Sequence, residues 1–285
     1  MAFRAAMIRW TGLPAVGDSH RVTDNWGPPR LVALDIDGTI LQVGKPISAR
    51  VLASVRNAVD RGTHVILATG RSVFATMPVL TELGLPAGEI VCSNGAVRMD
   101  TASGDVIVAH RFDAKPLIDQ LRELLPGARF AVERLGVGTL LNGWLPTEAE
   151  PEWTRHVDLD ALVAEPTTRV TLYWDGHTAE ELADRLADVG FTGVTHTLDR
   201  TGPWMVAVAE GITKGATLEQ LRVELEVPAD ATLAVGDGDN DIEMLRWAAH
   251  GVAMGQAPDI VKAAAHEVTG TFDEDGLAAI LERWF

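Results

Sequence analysis

Residues 31–41 read LVALDIDGTIL, and this stretch decides the fold. Four apolar residues lead into Asp35, and a second carboxylate follows at Asp37. A short apolar run that ends in turn residues is typical of a strand buried in a parallel sheet. Because side chains alternate along a strand, we expect Asp35 and Asp37 on the same side. Open α/β sheets bind ligands beyond the carboxyl ends of their strands, so the pair predicts a ligand site there.

A divalent cation would explain why two carboxylates stand so close in the sequence. Like charges at short range oppose each other's ionisation, and a cation removes that penalty. Ligands that are all oxygen atoms favour Mg²⁺. The alternative interpretation is an ordinary strand-to-turn junction, since Asp-Gly is a common turn pair. The pattern D-x-D-G-T directly after four apolar residues favours the metal site.

The composition is typical of a globular protein, because 47% of the 285 residues are hydrophobic and 22% are charged. The net charge is −16 and no cluster of Lys and Arg is present, which argues against a nucleic-acid partner. The same acidity repels anionic substrates at long range. A phosphate ester would therefore need local positive charge, from a metal and a few placed cations. No apolar run reaches about 18 residues, so no membrane span is predicted.

The single cysteine and the N-terminus predict a cytoplasmic setting. Cys92 alone excludes an internal disulfide and is compatible with a reducing cytoplasm. It stands between an apolar run and a turn, which favours a small buried residue over a nucleophile. Residues 1–28 lack clear periodicity, so we expect an N-terminal extension to which no function can be assigned. Its apolar residues are interrupted, which argues against a secretion signal.

A second strand ends in polar residues in the same way as the first. Apolar spacing predicts a helix over residues 49–61, and the buried run at 64–68 predicts the strand that follows. The order of strand, helix and strand predicts a parallel unit with a right-handed crossover. Thr69 and Gly70 then offer a hydroxyl and backbone N–H groups that could hold phosphoryl oxygens at the start of the next helix. Alternatively, Thr69 only caps that helix and Arg71 is a solvated side chain.

The middle of the chain has a different texture. A third buried strand at 89–92 ends in Ser93-Asn94-Gly95-Ala96, and polar positions then mix into the strands. The expected elements are strands at 105–112, 128–134, 169–174 and 204–208, and helices at 114–125 and 179–189. Strands of mixed polarity indicate an antiparallel-rich α+β domain with one exposed sheet face. We therefore predict an α+β cap domain at 97–205, inserted into a core formed by 29–96 and 206–285.

The last third returns to the parallel α/β pattern. Lys214 opens a helix, and a strand at 231–235 runs into GDGDND at 236–241. Alone, Lys214 would be a solvated helix residue, and the acidic loop lacks the Glu and the length of a helix-loop-helix calcium site. The later elements expected are a strand at 251–254, a helix at 258–265, a strand at 266–269 and a helix at 276–284. Because three of the four polar motifs follow apolar strands, a parallel sheet would bring those three to one edge.

Together the four motifs resemble those of the haloacid dehalogenase-like hydrolases, more closely the Cof-type phosphatases. DIDGT at 35–39 is similar to the first motif, and the others in order are Thr69-Gly70-Arg71, Lys214 and GDGDND at 236–241. GVAMGQA at 251–257 resembles the tail of the family, with Gln256 where Asn is more usual. The resemblance covers about residues 30–285. It implies a Rossmann-like parallel-sheet core with the cap inserted between the second and third motifs.

The resemblance also implies a role for each motif. Asp35 would be the nucleophile that forms an aspartyl-phosphate. Asp37 would be the general acid for the leaving alcohol and then the base for water. Mg²⁺ would be held by Asp35, the backbone carbonyl of Asp37, Asp237 and Asp241. The phosphoryl group and substrate would be contacted by Thr69, Gly70, Arg71, Lys214 and Asn240.

The expected substrate is a small phosphorylated metabolite, of which a sugar phosphate is one example. The cap would exclude water and select the leaving group, and its candidate residues are Arg134, His177, Arg200 and Trp204. A phosphomutase that shares the aspartyl-phosphate is an alternative, and it would depend on a bisphosphate activator. A non-catalytic binding protein on the same fold is another, although it would be expected to have lost Asp35, Asp37 or Lys214. The oligomeric state is not readable from the sequence.

Overall fold

A computed structural model describes residues 27–42, 44–146 and 151–285. Most of the predicted N-terminal extension at 1–28 therefore lies outside the described residues. Within the described part of the chain, no helix combines the length and the apolar character needed to cross a membrane.

The described residues alternate between strands and helices along most of the chain. In chain order the strands are β1 Leu31–Leu34, β2 His64–Leu67, β3 Glu89–Cys92, β4 Val97–Asp100, β5 Val106–Ala109, β6 Arg129–Arg134, β7 Gly138–Leu141, β8 Thr154–His156, β9 Val170–Tyr173, β10 Val194–Leu198, β11 Trp204–Ala209, β12 Thr232–Gly236, β13 His250–Ala253 and β14 Glu267–Val268. The helices are α1 Ala49–Asp60, α2 Val73–Leu83, α3 Lys115–Leu124, α4 Leu159–Leu162, α5 Ala179–Leu186, α6 Lys214–Glu224, α7 Ile242–Trp247, α8 Asp259–Lys262 and α9 Gly276–Leu281.

The core is a five-stranded parallel sheet in the order β14-β13-β12-β1-β2. A parallel bridge between Ala68 and Val91 brings β3 alongside β2. Within β1, Val32 and Leu34 pack on the side of α1, α2 and α9, whereas Leu31 and Ala33 pack on the side of α6, α7 and α8. Burial on both faces explains the continuous apolar run in the sequence. The predicted parallel α/β core is confirmed.

The register of the core sheet brings the strand ends together. Leu34, the last residue of β1, pairs with Val235 on one side and with Leu67 on the other. The residues after all three strands therefore meet at the carboxyl edge of the sheet. Asp35 continues the alternation of Leu31 and Ala33, so its side chain points toward α6 and α7.

A second sheet forms the cap, in the order β10-β11-β9-β6-β7-β8. Its pairings are antiparallel except that between β7 and β8. Helices α3 and α5 cover one face through Leu117, Leu121, Leu182 and Leu186, which are buried against the strands. This mainly antiparallel sheet with its helices confirms the α+β character predicted for the insertion. The other face of the sheet lies over the carboxyl edge of the core.

The domain boundaries at 97 and 205 stay a prediction. Strands of the structure lie at both positions. Strands β4 and β5 extend β3 as an antiparallel sheet, and β11 runs through position 205. Arg98 on β4 is buried and pairs with Glu89 and with Glu224 of α6. These ion pairs tie the first strands after residue 97 to core elements.

Several short elements differ from the sequence prediction. Strands β4, β7, β8 and β10 were not predicted, because short strands of mixed polarity give only a weak alternation signal. The helix expected over 258–265 is present only as α8, and the helix expected over 179–189 ends at Leu186. Helix ends are the least predictable feature of a sequence.

Candidate active site

Three distant segments meet in one buried charge cluster at the carboxyl edge of the core. Nζ of Lys214 lies 2.6 Å from Oδ1 of Asp35 and 2.7 Å from Oδ1 of Asp241. One carboxylate oxygen from each of Asp35, Asp237 and Asp241 lies within 4.8 Å of the others. Asp35, Asp241 and Lys214 are all buried. The convergence expected from the sequence is present in the structure.

Lys214 occupies an unusual position for a cation, at the first residue of α6. Thr213 caps this helix by accepting a hydrogen bond from the N–H of Ala216. The positive end of the helix dipole disfavours an ammonium there. Gly215 lets α6 approach α7 closely, because a Cβ at this position would lie 2.7 Å from the carbonyl oxygen of Glu243. The carboxylates of Asp35 and Asp241 therefore have to compensate for the location of the lysine.

The cluster holds more negative charge than the lysine balances. Burial raises the pKa of Asp35 well above its usual range, and the neighbouring Asp241 adds to this shift. Burial, together with Asp241, raises the pKa of Asp237 to about 6. Burial lowers the pKa of Lys214, but Asp241 and Asp35 outweigh it and the net shift is upward. With all three carboxyl groups ionised, one ammonium would leave two negative charges without compensation, which is why the pKa values of Asp35 and Asp237 are raised. An all-oxygen donor set of this kind fits a hard divalent cation.

The acidic loop after β12 is shaped by hydrogen bonds to its own backbone. Oδ2 of Asp241 accepts from the N–H groups of Asp237 and Gly238 at 3.0 and 2.9 Å. Gly38 has a φ of +83°, and a Cβ there would lie 2.1 Å from Oδ2 of Asp237. Nε2 of Gln256 donates to the carbonyl oxygen of Gly38 at 2.6 Å. Gln256 thus supports the turn that follows Asp37.

Asp37 lies outside the buried cluster. Its side chain is 51% exposed, and the Arg71 guanidinium donates to both of its oxygens at 2.7 and 2.6 Å. The hydrogen bond to Asp37 raises the pKa of Arg71, and burial opposes that shift. The structure therefore brings Arg71 to Asp37, and contact of Arg71 with a phosphoryl group stays a prediction.

The loop after β2 lies beside the cluster. Thr69 is fully buried, and its hydroxyl accepts from the N–H of Arg71 at 3.1 Å. Nδ2 of Asn240 donates to Oδ1 of Asn94 at 2.9 Å. A Cβ at Gly70 would lie only 3.0 Å from the same Asn94 oxygen. In the sequence Asn94 belongs only to the entry to the cap, so its place in the site was not predicted.

A cavity of about 900 Å³ separates the carboxyl edge of the core from the open face of the cap sheet. From the core it is lined by residues that include Asp35, Asp37, Gly70, Arg71, Asp237 and Asn240. From the cap it is lined by residues that include Arg169, Thr171, Thr197, Arg200, Trp204 and Val206. Of the four cap residues singled out in the sequence, Arg200 and Trp204 therefore reach the cavity. Arg134 instead pairs with Glu165, and His177 stacks on Trp174.

Glu133 of β6 fastens the cap to the core, and the sequence analysis missed it. This carboxylate is only 2% exposed. It accepts hydrogen bonds from Oγ of Ser93 at 2.5 Å, from the N–H of Val73 at 3.0 Å and from the hydroxyl of Thr168 at 2.7 Å. Ser93 follows β3 and Val73 begins α2, so one cap residue holds both ends of this core segment.

Two arginines of the cap also reach the core. Nη1 of Arg169 donates to the carbonyl oxygen of Gly70 at 2.6 Å. Arg200 donates to both oxygens of Asp239, in the acidic loop, at 2.9 and 2.8 Å. The sequence analysis named Arg200 and missed Arg169. Because side chains alternate along a strand, residues 169, 171 and 173 are expected on one face of the cap sheet. The alternation does not say which of the two faces meets the core.

The fold and the charge cluster define a capped α/β protein with an acidic site at the carboxyl edge of its core sheet. A family model described as haloacid dehalogenase-like hydrolase matches residues 32–281. The chain belongs to this family, and the Cof-type assignment and the phosphatase class expected from the motifs are confirmed.

Similar proteins match over nearly their whole length. The chain is 30% identical over 274 residues to the 5-amino-6-(5-phospho-D-ribitylamino)uracil phosphatase YitU of Bacillus subtilis, covering 90% of this chain and 98% of that protein. It is 30% identical over 273 residues to the pyridoxal phosphate phosphatase YbhA of Escherichia coli, covering 88% and 97%. A solved structure of a superfamily member from Bacteroides thetaiotaomicron superposes with a TM-score of 0.76 at 25% identity, covering 94% and 99%.

Proposed function

We propose that this protein is a Mg²⁺-dependent phosphatase that hydrolyses a small phosphorylated metabolite through an aspartyl-phosphate. One observation carries the proposal: Asp35 lines the cavity with Lys214 and two further carboxylates against it. A carboxylate can attack phosphorus when the repulsion between it and the phosphate is offset. The buried cation and the metal-like donor set offer that compensation.

Each of four side chains has a separate role in the proposed reaction. An oxygen of Asp35 forms the new bond to phosphorus while the bond to the ester oxygen breaks. The hydrogen bond from Lys214 to Oδ1 of Asp35 fixes the orientation of the nucleophile. Asp37 delivers a proton to the departing alcohol and then removes one from the water that cleaves the aspartyl-phosphate. The paired hydrogen bonds from Arg71 position Asp37 as a carboxylate, the form that takes the proton from water, and a protonated Asp37 would have to give up part of this pairing in the acid step.

The metal would be held by Asp35, Asp237, Asp241 and the backbone carbonyl of Asp37. When bound, Mg²⁺ would supply positive charge that offsets the repulsion of the nucleophile by the phosphate. The hydroxyl of Thr69, the backbone at Gly70 and the amide of Asn240 would orient the phosphoryl oxygens, because phosphoryl transfer depends mainly on positioning and charge.

The substrate proposed is a metabolite with one phosphate ester and a polar leaving group, sugar phosphates included. YitU and YbhA are named for a phosphorylated ribityl compound and for pyridoxal phosphate. A cavity of about 900 Å³ matches molecules of that size. On the cap side it offers Trp204, Val206 and Thr171 to a leaving group.

The test is a panel of phosphate esters assayed for release of orthophosphate, with Mg²⁺ and with a chelator. We expect Mg²⁺-dependent release, and a loss of about 10⁴-fold or more in kcat/KM for Asp35→Asn, because the nucleophile is gone. Asp230→Asn, an exposed aspartate before β12, is the matched control and should keep full activity. Release that is unaffected by the chelator, or an active Asp35→Asn protein, would refute the mechanism. Phosphate transfer without free orthophosphate would indicate a mutase instead.

A further inference from the structure

The face of the cap sheet above the cavity carries a cation that the motifs did not reveal. Along β9, Val170 and Leu172 pack into the cap core. Thr171 has the opposite orientation, pairs with Val206 of β11 and lines the cavity. Arg169 directly precedes β9 and lies two residues before Thr171, so its side chain is on the same face of the sheet. It lines the cavity as well.

Arg169 differs from the other two arginines of this cavity in its partners. Arg71 forms paired hydrogen bonds with Asp37, and Arg200 does the same with Asp239. In the described part of the chain, no carboxylate forms an ion pair with Arg169. It is therefore a cavity cation that forms no ion pair of its own among the described residues.

The hydrogen bonds of Arg169 are also incomplete. A guanidinium has five N–H donors in one plane, and only Nη1 of Arg169 meets a side-chain or backbone acceptor among the described residues, the Gly70 carbonyl. Its Nε is buried and meets no acceptor. Buried donors without a partner are rare and call for an explanation. The second terminal nitrogen, Nη2, also has no acceptor among the described residues and is not closed off in this way. A ligand with oxygen acceptors on the cap side of the cavity would bind there, and a small shift of the side chain toward it would bring Nε into reach.

The position of Arg169 says which part of a substrate it would meet. Gly70 lies between Thr69 and Arg71 and against Asn94 and Asn240. The guanidinium bound to the Gly70 carbonyl thus lies at the boundary between the phosphoryl end of the cavity and the cap wall. A leaving group that extends from the phosphate toward the cap passes this boundary.

We propose that Arg169 selects leaving groups that carry a second anionic group, such as a carboxylate, over neutral polyols of the same size. The inference rests on the proposed phosphatase function and specifies its substrate class. The planar fork of a guanidinium matches a carboxylate in two parallel hydrogen bonds. Asp199, a carboxylate of the cap that also lines the cavity, does not pair with Arg169. It accepts hydrogen bonds from Thr201 and Gly202 of its own turn instead.

The test compares substrates that differ by one carboxylate. Suitable pairs are 3-phosphoglycerate with glycerol 3-phosphate and 6-phosphogluconate with sorbitol 6-phosphate, assayed by orthophosphate release with Mg²⁺. We expect the wild-type protein to prefer the carboxylate member of at least one pair. In Arg169→Gln that preference should fall on the order of 10- to 100-fold through KM, because a hydrogen-bonded charge pair is lost. Arg169→Lys should keep part of it.

Arg200→Gln is the matched control, since it removes a guanidinium of the same cavity that already has a carboxylate partner. We expect both members of each pair to change equally in this variant. A wild-type protein without preference for either carboxylate substrate would overturn the inference. So would an Arg169→Gln protein that loses both members of a pair equally, because Arg169 would then only dock the cap. Failure of all orthophosphate release would instead count against the proposed function.

Discussion

The core and the cap use opposite kinds of sheet. In the core, parallel strands are buried on both faces, and the reactive side chains follow directly after their apolar runs. In the cap, helices cover one face and the other face forms the cavity wall. The reactive residues of the core therefore stand in short contiguous motifs. The cap residues that contact the core or the cavity are instead distributed over β6, β9, β10, β11 and the residues next to them.

The ion pairs of the core and of the cap also differ, in how far they are exposed to solvent. The Lys214 pair with Asp241 is completely buried, whereas the side chains of Arg200 and Asp239 are 54% and 22% exposed. Exposed ion pairs contribute about 0–1 kcal/mol, whereas breaking a buried pair leaves a charge without compensation. We infer that the core charges determine both stability and chemistry, and that the cap charges mainly tune access and selection.

The largest difference should come from removing one lysine in each region. Lys214→Met leaves Asp35 and Asp241 without their cation, and we expect it to lower the free energy of unfolding by about 3–5 kcal/mol. Lys115→Met removes the exposed partner of Asp119 on α3 and should leave the free energy of unfolding almost unchanged, because solvent screens this pair. Urea unfolding followed by circular dichroism, in chelator, measures both.

Adding Mg²⁺ sharpens this comparison without an activity assay. A cation bound by the carboxylates would take over part of the charge compensation, so the loss caused by Lys214→Met, measured against the wild type in the same buffer, should shrink. The small difference between Lys115→Met and the wild type should stay the same, because both keep the carboxylates and Lys214. Equal losses for the two variants in chelator would contradict the contrast between buried core charges and exposed cap charges.

An intermediate effect is expected at the junction of the two regions. Glu133→Gln replaces one acceptor oxygen by an NH₂ group that faces a donor, either Ser93 Oγ with Thr168 Oγ1 or the N–H of Val73. The unsatisfied donors should cost about 1–3 kcal/mol of unfolding free energy. Hydrogen exchange should rise at the start of α2, because the N–H of Val73 then either donates to a neutral amide oxygen instead of a carboxylate or faces the NH₂ group.

Glu165→Gln is the control, because this cap carboxylate is 71% exposed and pairs only with Arg134. We expect less than about 1 kcal/mol for it and unchanged exchange at α2. If Glu133→Gln behaved like this control, Glu133 would not be the contact that fastens cap to core.

The smallest effect is an expected lack of reaction at Cys92. Burial raises the pKa of this thiol to about 12, against a weaker opposing hydrogen bond with Thr76. At pH 8 only about one thiol in 10⁴ is ionised, so alkylation of the folded protein should be about 10³-fold slower than that of an unfolded chain. Mass spectrometry after iodoacetamide treatment, with and without urea, measures this. Rapid alkylation of the folded protein would show that the core opens as readily as a surface loop.

Much of the core and its site could be read from the sequence, because the signals are local. An apolar run of strand length predicts a buried strand, and the residue after it necessarily lies at the end of that strand. Asp35, Thr69 and the loop at 236–241 therefore had to share an edge once the sheet was parallel. The structure extends this set with Asn94, whose role depends on the chain turning back beside Asn240.

The sequence by itself thus determined the parallel core, the order of its motifs and the meeting of Asp35, Thr69 and the acidic loop at one edge. The resemblance of the motifs to the family added Lys214 to that set. Only the tertiary structure decided which face of the cap meets the cavity, and hence that Arg169 and Glu133 reach the core while Arg134 and His177 do not. The reason is that alternation along a strand specifies two faces without ranking them. The choice between them is made by α3 and α5, whose apolar residues bury one face and leave the other to the site.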